Sequence, residues 1–169
     1  DVSYQVYDSN TDGFSTVDGK TVYYAPDGAM VHGERNIGGS WYHFDELSGE
    51  MSTGLTTIPA GGGSKTVLYG EDGAMLYGLQ QVGGLGERYF DTVTGSLRTG
   101  WQDISGVKCY IQPDGSYASG ELAYAGKWYY LDPESHGMAK GLRSVPTSGG
   151  SSKTVYYAPD GAMVHGERN

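Results

Sequence analysis

The sequence predicts an all-β protein, folded as an elongated β-solenoid of about eight stacked β-hairpin repeats, and three observations carry this prediction. An apolar residue followed three positions later by glycine recurs along the chain at intervals of 20 to 25 residues. A short aromatic segment of strand-like composition precedes each of these pairs. No part of the chain has the sustained periodicity of an amphipathic helix, so a repeat of β-hairpins is the simplest architecture.

The recurring pair defines an anchor residue and a closing glycine in each module. These pairs are Met30/Gly33, Met51/Gly54, Met75/Gly78, Leu97/Gly100, Tyr117/Gly120, Met138/Gly141 and Met163/Gly166, with Phe14/Val17 as a degenerate first case. The aromatic segments before them are YQVY (4–7), TVYY (21–24), WYHF (41–44), TVLY (66–69), ERYF (87–90), KCYI (108–111), WYYL (128–131) and TVYY (154–157). We expect each module to form a hairpin from its aromatic strand, a tight turn and its anchor.

Two turn lengths alternate, which groups the modules in pairs. The anchor follows the aromatic strand by seven positions in odd modules and by six in even modules, whose turns read APDGA, GEDGA, QPDGS and APDGA. The Asp of each Asp-Gly turn is expected to bond to the local backbone. We predict one repeat domain over 1–169, made of four hairpin pairs at about 1–36, 37–83, 84–123 and 124–169. Stacking would stabilise the hairpins, since a single hairpin is marginal in water.

One module is duplicated without change. Residues 20–36, KTVYYAPDGAMVHGERN, return letter for letter as residues 153–169. The first copy continues into another module, and the second ends where that module would begin. We therefore expect the chain to be a segment of a longer array that belongs to a larger protein.

Alternation along the aromatic strands predicts which side chains form the core. The inward set is mostly apolar and comprises Val22/Tyr24, Tyr42/Phe44, Val67/Tyr69, Cys109/Ile111, Tyr129/Leu131 and Val155/Tyr157, with Gln5 and Arg88 as exceptions. Cys109 is thus expected to be a buried structural thiol. The opposite face mixes aromatic and polar groups, as a ligand-contact surface would. The connectors at 56–65 and 143–153 are rich in Gly and Ser, and we interpret them as flexible surface loops.

Charge and composition exclude several classes of partner. The formal net charge of −9 argues against nucleic acid, because no basic stripe is present to neutralise phosphates. No apolar run approaches the ~20 residues of a membrane-spanning helix, so membrane insertion is not expected. No Cys/His cluster has metal-ligand spacing, and no cofactor is expected. The segment DSNTDG (8–13) matches half of a calcium loop, but Gly19 stands where the loop needs a bidentate Glu, so we interpret it as a turn.

The segment GKWYYLDPESHGMAKGL (126–142), with its variants in the other modules, resembles the cell-wall-binding repeat family. This family includes choline-binding modules, glucan-binding repeats and the similar repeat domains of clostridial toxins. The resemblance implies a solenoid of β-hairpins that carries no catalysis and anchors an enzyme or toxin to choline, α-glucan or cell-surface glycans. It also implies a secreted or cell-wall-attached, extracellular protein of a Gram-positive bacterium.

The resemblance also implies where a ligand would bind. In that family the site is an aromatic cage formed by a Trp after the closing glycine and by a Trp and a Tyr from the strands, which holds a quaternary ammonium by cation–π attraction. Here Trp101 is the sole Trp after a closing glycine, and the strand position holds Trp only at 41 and 128, so no complete cage is expected. Three partial sites remain, namely Glu34, Trp41 and His43, then Trp101, Lys108 and Tyr110, and finally Glu121, Trp128 and Tyr130.

We expect a non-catalytic module that binds a cell-wall glycan or α-glucan and targets the other domains of its parent protein. A Trp ring with flanking hydrogen-bonding groups suits a sugar, and Lys108 would repel choline. Two alternatives are a module that recognises teichoic-acid choline and a structural stalk in which Trp and Tyr only pack the hairpins. Exposure of Trp41, Trp101 and Trp128 in grooves between modules would favour binding. An enzyme is not expected, because most carboxylates lie in turns rather than converging in a cleft.

Overall fold

The computed structural model describes residues 13–164, and all regular structure in this range is β-strand, which confirms the all-β prediction. Within that range no helix is present that has the length and apolarity to cross a membrane. The expected first aromatic strand (4–7) and residues 8–12 of the calcium-like segment lie outside the described residues.

The chain divides into two compact units, with the division between Leu97 and Arg98. The strands of the first unit are β1 (Phe14–Val17), β2 (Lys20–Tyr23), β3 (Gly33–Ile37), β4 (Ser40–Phe44), β5 (Gly54–Ala60), β6 (Gly63–Tyr69), β7 (Met75–Leu76), β8 (Gly78–Val82) and β9 (Gly86–Phe90). Those of the second unit are β10 (Gly100–Ile104), β11 (Val107–Ile111), β12 (Gly120–Tyr124), β13 (Lys127–Leu131), β14 (Gly141–Pro146) and β15 (Ser152–Tyr157). Every pairing is antiparallel and joins strands that are adjacent in sequence.

From β3 onward the hairpins begin at the closing glycine, which corrects the expected arrangement. The first hairpin begins at Phe14, so the expected pair of Phe14 as anchor and Val17 in place of a closing glycine is also wrong, because both residues belong to β1 and pair with β2. Strand β3 starts at Gly33 and pairs with the aromatic strand β4, so that Gly33 lies opposite Phe44. The tight turn after each aromatic strand closes with an isolated bridge to the anchor, such as the bridge from Tyr24 to Met30. Within residues 13–164, β6 alone extends this contact to two residue pairs, which it makes with β7. The aromatic strand is therefore the second strand of its hairpin.

At four of the anchors the backbone amide is bonded to the preceding hairpin of the same unit. The acceptor is the carbonyl at the first position of the preceding aromatic segment, and the bonds run from Met51 to Thr21 (2.7 Å), Leu97 to Thr66 (2.8 Å), Met138 to Lys108 (2.8 Å) and Met163 to Trp128 (2.7 Å). The residue after the anchor donates to the anchor's own aromatic strand, as the amide of Ser52 does to the carbonyl of His43. Successive amides therefore bond to two different hairpins, as the alternation of antiparallel pairing allows. We call the first residue of each aromatic segment the carbonyl position. Each of these bonds places an anchor next to the carbonyl position of the preceding hairpin.

Most of the inward set lies in the core, as predicted from strand alternation. Its fully buried members are Val22, Tyr24, Phe44, Val67, Tyr69, Cys109, Ile111, Leu131 and Tyr157. His43, Leu68 and Tyr130 are buried although strand alternation predicted them on the outward face, and Tyr42, Tyr129 and Val155 of the inward set are only partly buried. Cys109 is buried, as expected, and its Sγ lies 3.6 Å from the backbone oxygen of Gln102. Arg88, an exception in the sequence, is also buried (7% exposed), and its Nη1 donates to the backbone oxygens of Leu85 (2.8 Å) and Glu87 (3.1 Å). These bonds allow the charged group to occupy a core position.

The aspartates of the tight turns bond to the local backbone, which confirms their expected role. In the short turns Oδ1 accepts the N–H two residues further on, at 2.9–3.0 Å, for Asp27, Asp72, Asp114 and Asp160. In the long turns Oδ1 accepts two N–H groups, at 2.8–2.9 Å, for Asp45, Asp91 and Asp132. These carboxylates therefore act in the turns, as inferred from the sequence.

The prediction of flexible loops at 56–65 and 143–153 is wrong. Residues 56–60 continue strand β5, 63–65 begin β6, and the second connector forms the outer parts of β14 and β15 in the same way. The cause is one apolar residue in each connector, because Ile58 and Val145 are each only 1% exposed and join the core clusters. Glycine and serine are confined to the turn and its flanks, where they do not prevent pairing.

Turn glycines lie directly on anchor methionines of the preceding module. A methyl group added to the glycine would overlap the methionine side chain at four places, namely Gly49 on Met30, Gly73 on Met51, Gly95 on Met75 and Gly161 on Met138. These glycines also have positive φ angles between 78° and 92°. Close approach and backbone conformation therefore both require glycine at this repeat position.

We predict that Gly73→Ala destabilises the first unit more than Gly78→Ala. Both glycines have positive φ (88° and 74°), which costs an alanine about 1–2 kcal/mol. Only Gly73 of the two contacts a side chain, that of Met51, which adds about 1–3 kcal/mol of overpacking. Thermal and urea unfolding of the two variants measure the difference, and equal losses in both would contradict the packing role.

Candidate functional site

The indole ring of Trp41 is 41% exposed and lies in a groove of about 210 Å³ in the first unit. We call it the first groove, and its lining includes Glu34, Trp41, Lys65, Met75, Tyr77 and Thr94. Glu34 and Trp41 stand on the two strands of one hairpin, β3 and β4, whereas Lys65 and Met75 come from β6 and β7. The groove is therefore built between consecutive hairpins of this unit.

An ion pair crosses the first groove. Nζ of Lys65 lies 3.8 Å from Oε2 of Glu34 and donates to the backbone oxygen of Thr94 at 3.1 Å. The ammonium group is thus held by acceptors from two different modules. Because both charged side chains are partly exposed, the ion pair itself contributes only about 0–1 kcal/mol. A ligand can open it at little cost.

The second unit contains a matching groove of about 160 Å³, which we call the second groove. It is lined by Glu121, Trp128, Lys153 and Met163. Trp128 is 43% exposed, and Nζ of Lys153 lies 3.2 Å from Oε2 of Glu121. An exposed indole ring, a carboxylate, an ammonium group and a methionine thus recur together.

The two grooves are formed by equivalent residues that lie 87 to 88 positions apart in sequence. Each of the four side chains has a counterpart of the same type, so Glu34 corresponds to Glu121, Trp41 to Trp128, Lys65 to Lys153 and Met75 to Met163. A buried tyrosine accompanies each groove. Burial raises the pKa of Tyr69 and of Tyr157, and the negative charge of Glu34 or Glu121 raises it further.

Of the predicted site residues in the first unit, Glu34 and Trp41 line the groove, and His43 does not. His43 lies opposite Glu34 in the hairpin but is 7% exposed. Its Nε2 donates to the Glu46 carboxylate (3.0 Å), and the Ser52 hydroxyl lies 2.7 Å from Nδ1. Both ring nitrogens are therefore engaged in bonds that hold the hairpin and its turn.

Tyr130 has a comparable supporting position in the second unit. It lies opposite Glu121, is buried, and packs against Val145 and Tyr157 in a core cluster. The guanidinium of Arg143 covers its ring at 4.9 Å and donates to Oδ2 of Asp132 at 2.6 Å. Glu121 and Trp128 are thus the two predicted residues of this site that reach the second groove.

The third predicted site forms an aromatic cluster in the second unit. Trp101 and Tyr110 are cross-strand neighbours with ring centroids 5.1 Å apart, and Nζ of Lys108 lies 5.9 Å from the indole centroid. Tyr124 and Tyr129 of the next hairpin also contact Trp101, at 5.7 and 5.1 Å. Trp101, Lys108 and Tyr110 therefore lie together, as the sequence predicted, and Tyr124 and Tyr129 are additional members of the cluster. The contacts with these residues leave the Trp101 side chain half-buried.

Sequence reasoning missed the two lysines that complete the grooves. Lys65 and Lys153 stand at the ends of the Gly/Ser-rich connectors, which were interpreted as loops. The signal that could have found them is a pattern shared by the two connectors. In each, an apolar residue is followed by a segment rich in Gly and Ser and then by a lysine, directly before an aromatic segment that begins with Thr-Val. Met75 and Met163 were recognised as anchors but not as groove residues, because their place in the grooves depends on how a module lies against the preceding hairpin. The amide of Met163, for example, donates to the carbonyl of Trp128.

The grooves can bind neutral polar molecules that have one apolar face. An indole ring stacks on such a face, while carboxylate oxygens accept hydrogen bonds and an ammonium group donates them. Within residues 13–164 no group of three or more His, Cys, Asp and Glu side chains is arranged to hold a metal ion.

We predict that Arg143→Met raises the pKa of Asp132 and leaves that of Asp45 unchanged. Both turn aspartates have pKa values below the usual range because backbone amides donate to them, those of Ser135 and Ser48 most strongly, but Asp132 also pairs with Arg143. A depressed pKa in the folded state means that the stabilisation is complete above the unfolded pKa, about 3.9, and is lost as pH falls through the folded pKa. Carboxyl NMR titration of the two residues measures the effect, and an unchanged Asp132 would contradict it.

The family model for the choline-binding repeat matches the chain twice, at residues 11–55 and 98–141, which together make up just over half of its length. The two matches are 87 residues apart, as are Trp41 and Trp128. No curated protein sequence is significantly similar to the chain.

Several solved structures have the same fold. Choline-binding protein F of Streptococcus pneumoniae is 26% identical (TM-score 0.71), and the match covers 90% of this chain and 51% of that one, with the same values for its structure in the presence of a peptidoglycan analogue. CbpJ of the same species is also 26% identical (TM-score 0.73), with 90% and 52% covered. The modular autolysin LytC from S. pneumoniae is 21% identical (TM-score 0.55), covers 96% and 39%, and supports the fold alone.

The chain spans about half the length of choline-binding protein F and CbpJ. The repeated family match and the shared hairpin fold both agree with the modules inferred from the sequence. On this evidence the chain belongs to the choline-binding repeat family.

Proposed function

We propose that the chain is a non-catalytic carbohydrate-binding module that attaches a larger secreted protein to cell-wall glycan or α-glucan. The observation that carries the proposal is the pair of equivalent grooves, each with an exposed Trp beside a glutamate and a lysine. A pyranose ring stacks its C–H face on an indole, and its hydroxyls can donate to the carboxylate and accept from the ammonium.

The charges of each groove support a neutral ligand. Glu34 and Lys65 balance each other in the first groove, as do Glu121 and Lys153 in the second. A neutral polyol can take up one hydrogen bond from each partner without leaving either charge uncompensated. A ligand with a single charge would lack this balance, because it would attract one partner and repel the other.

The aromatic cluster around Trp101 is a third candidate contact surface, with Lys108 and Tyr110 at its edge. Choline is the second candidate ligand, and this cluster is the observation that favours it, together with the name of the family and of choline-binding protein F. Several rings around one position can hold a quaternary ammonium. Lys108 opposes it, because its own ammonium already lies near the indole ring.

The remaining features of the proposal follow from the fold and the family. We propose a secreted or cell-wall-attached location, with other domains of the parent protein as partners. Stacking of eight hairpins in four pairs as an elongated solenoid stays a prediction, supported within each unit by the bonds between successive hairpins. A stalk that binds nothing is the structural alternative, and the exposure of Trp41 and Trp128 in grooves favours binding over it.

We predict that the double variant Trp41→Ala, Trp128→Ala binds an α-glucan oligomer at least tenfold more weakly than the wild-type chain. Loss of one stacking ring per groove removes about 1.4 kcal/mol or more from each site, and sites on one ligand reinforce each other. Isothermal titration with a maltooligosaccharide measures the affinity, and choline is titrated in parallel.

The control variant is Tyr156→Ala, which removes an exposed aromatic side chain that is not among the lining residues of either groove. It should bind as the wild type does. Equal affinity of the double variant and the control would reject the grooves as glycan sites. A response of the wild type to choline without any response to the oligomer would establish the choline alternative instead, and no response to either would establish the stalk.

A further inference from the structure

Lys65 and Lys153 are delivered to the grooves by the two long hairpins of the described chain. The strands of β5–β6 have seven residues each and those of β14–β15 have six, whereas the strands of the other hairpins in this range have four or five. The additional length places Lys65 opposite the buried Ile58 and Lys153 opposite the buried Val145. The core thus fixes the strand segment from which each lysine reaches its groove.

Without its lysine, each groove would be a site for an organic cation. It would present the face of an exposed indole ring, a partly exposed carboxylate and a methionine side chain. An indole face attracts a quaternary ammonium group through its quadrupole, and a carboxylate within a few ångströms adds Coulomb attraction. The lysine ammonium instead lies 3.8 Å (first groove) or 3.2 Å (second groove) from that carboxylate.

We propose that Lys65 and Lys153 are specificity-determining residues that exclude quaternary ammonium ligands from the two grooves. The ammonium group of each lysine occupies the place next to the carboxylate that a cationic ligand would otherwise take. An incoming quaternary ammonium therefore meets a carboxylate that is already paired and a like charge next to it. A neutral ligand meets no such repulsion, because its hydroxyls can bond to both partners of the ion pair.

The inference goes beyond the proposed function, since it concerns the class of ligand that the grooves reject. It would hold even if α-glucan did not bind. It is also specific to the two grooves, because the position of Trp41 and Trp128 in the repeat is occupied by Lys108 in the aromatic cluster. Binding of a cation near Trp101 would not bear on it.

The test is the double variant Lys65→Met, Lys153→Met, titrated with tetramethylammonium chloride at constant ionic strength. Methionine keeps the length of the apolar stem and removes the charge. We expect the variant to bind tetramethylammonium about tenfold or more tightly than the wild type does, because one like charge near the ligand has been removed. The indole N–H signals of Trp41 and Trp128 in ¹⁵N NMR spectra report the binding at each groove.

The matched control is Lys20→Met, Lys127→Met, which removes two exposed lysines outside both grooves and changes the net charge equally. It should respond as the wild type does, so a gain in the first variant cannot be a general effect of charge. Adding Glu34→Gln and Glu121→Gln to the first variant should abolish the gain in affinity for tetramethylammonium. This result would show that the gain depends on the two carboxylates.

Two results would overturn the proposal. One is equal affinity of the Lys65→Met, Lys153→Met variant and the control for tetramethylammonium. The other needs no variant, and it is a saturable shift of both the Trp41 and the Trp128 signals when the wild type is titrated with tetramethylammonium, because this would show that the grooves accept the ligand while their lysines are present. A selective gain at both indoles in the first variant supports the proposal.

Discussion

The hydrogen bond from the anchor amide to the carbonyl position of the preceding hairpin organises each unit. It ties together hairpins that would be marginal alone, and it fixes their mutual register at one residue per module. The turn glycine packed on the preceding anchor methionine fits only in this register. Because the bond is made by backbone atoms, it tolerates any side chain at the carbonyl position, and the sequence there includes Thr21, Thr66, Lys108 and Trp128.

The same bond explains how a repeated scaffold acquires distinct sites. The bond from Met163 to Trp128 places this anchor beside the side chain at the carbonyl position, and both residues line the second groove. In the first groove Trp41 and Met75 also lie together, on the contacting strands β4 and β7. A glutamate on the partner strand and a lysine from the long hairpin then complete a charge-balanced site. Where the carbonyl position holds Lys108 instead, the groove beside this lysine and Met138 has no tryptophan in its lining, and the nearby Trp101 is surrounded by tyrosines. The proposed function therefore depends on a few variable side chains, whereas the fold depends on backbone bonds and on glycine.

The repeat, the all-β class, the core and the turn aspartates could be predicted from the sequence, because each rests on a local period or on a short-range bond. The hairpin boundaries could not, since each aromatic strand has a possible partner on either side of it in sequence, and the local pattern does not show which of the two forms the longer ladder. Ile58 and Val145 gave too weak a signal among Gly and Ser to show that the connectors are strands, and so Lys65 and Lys153 were missed. Glu34, Trp41, Glu121 and Trp128, which residue type singled out in the sequence, line the two grooves, whereas His43 and Tyr130 are buried in the core.

The central claim is that the two grooves are equivalent carbohydrate sites on separate units. It is tested most directly in the wild-type chain by following the three indole N–H signals in ¹⁵N NMR spectra during titration with an α-glucan oligomer. The account predicts that the signals of Trp41 and Trp128 move together and saturate with similar apparent affinities, while that of Trp101 changes little. Movement of Trp101 alone, or of one groove tryptophan without the other, would contradict it.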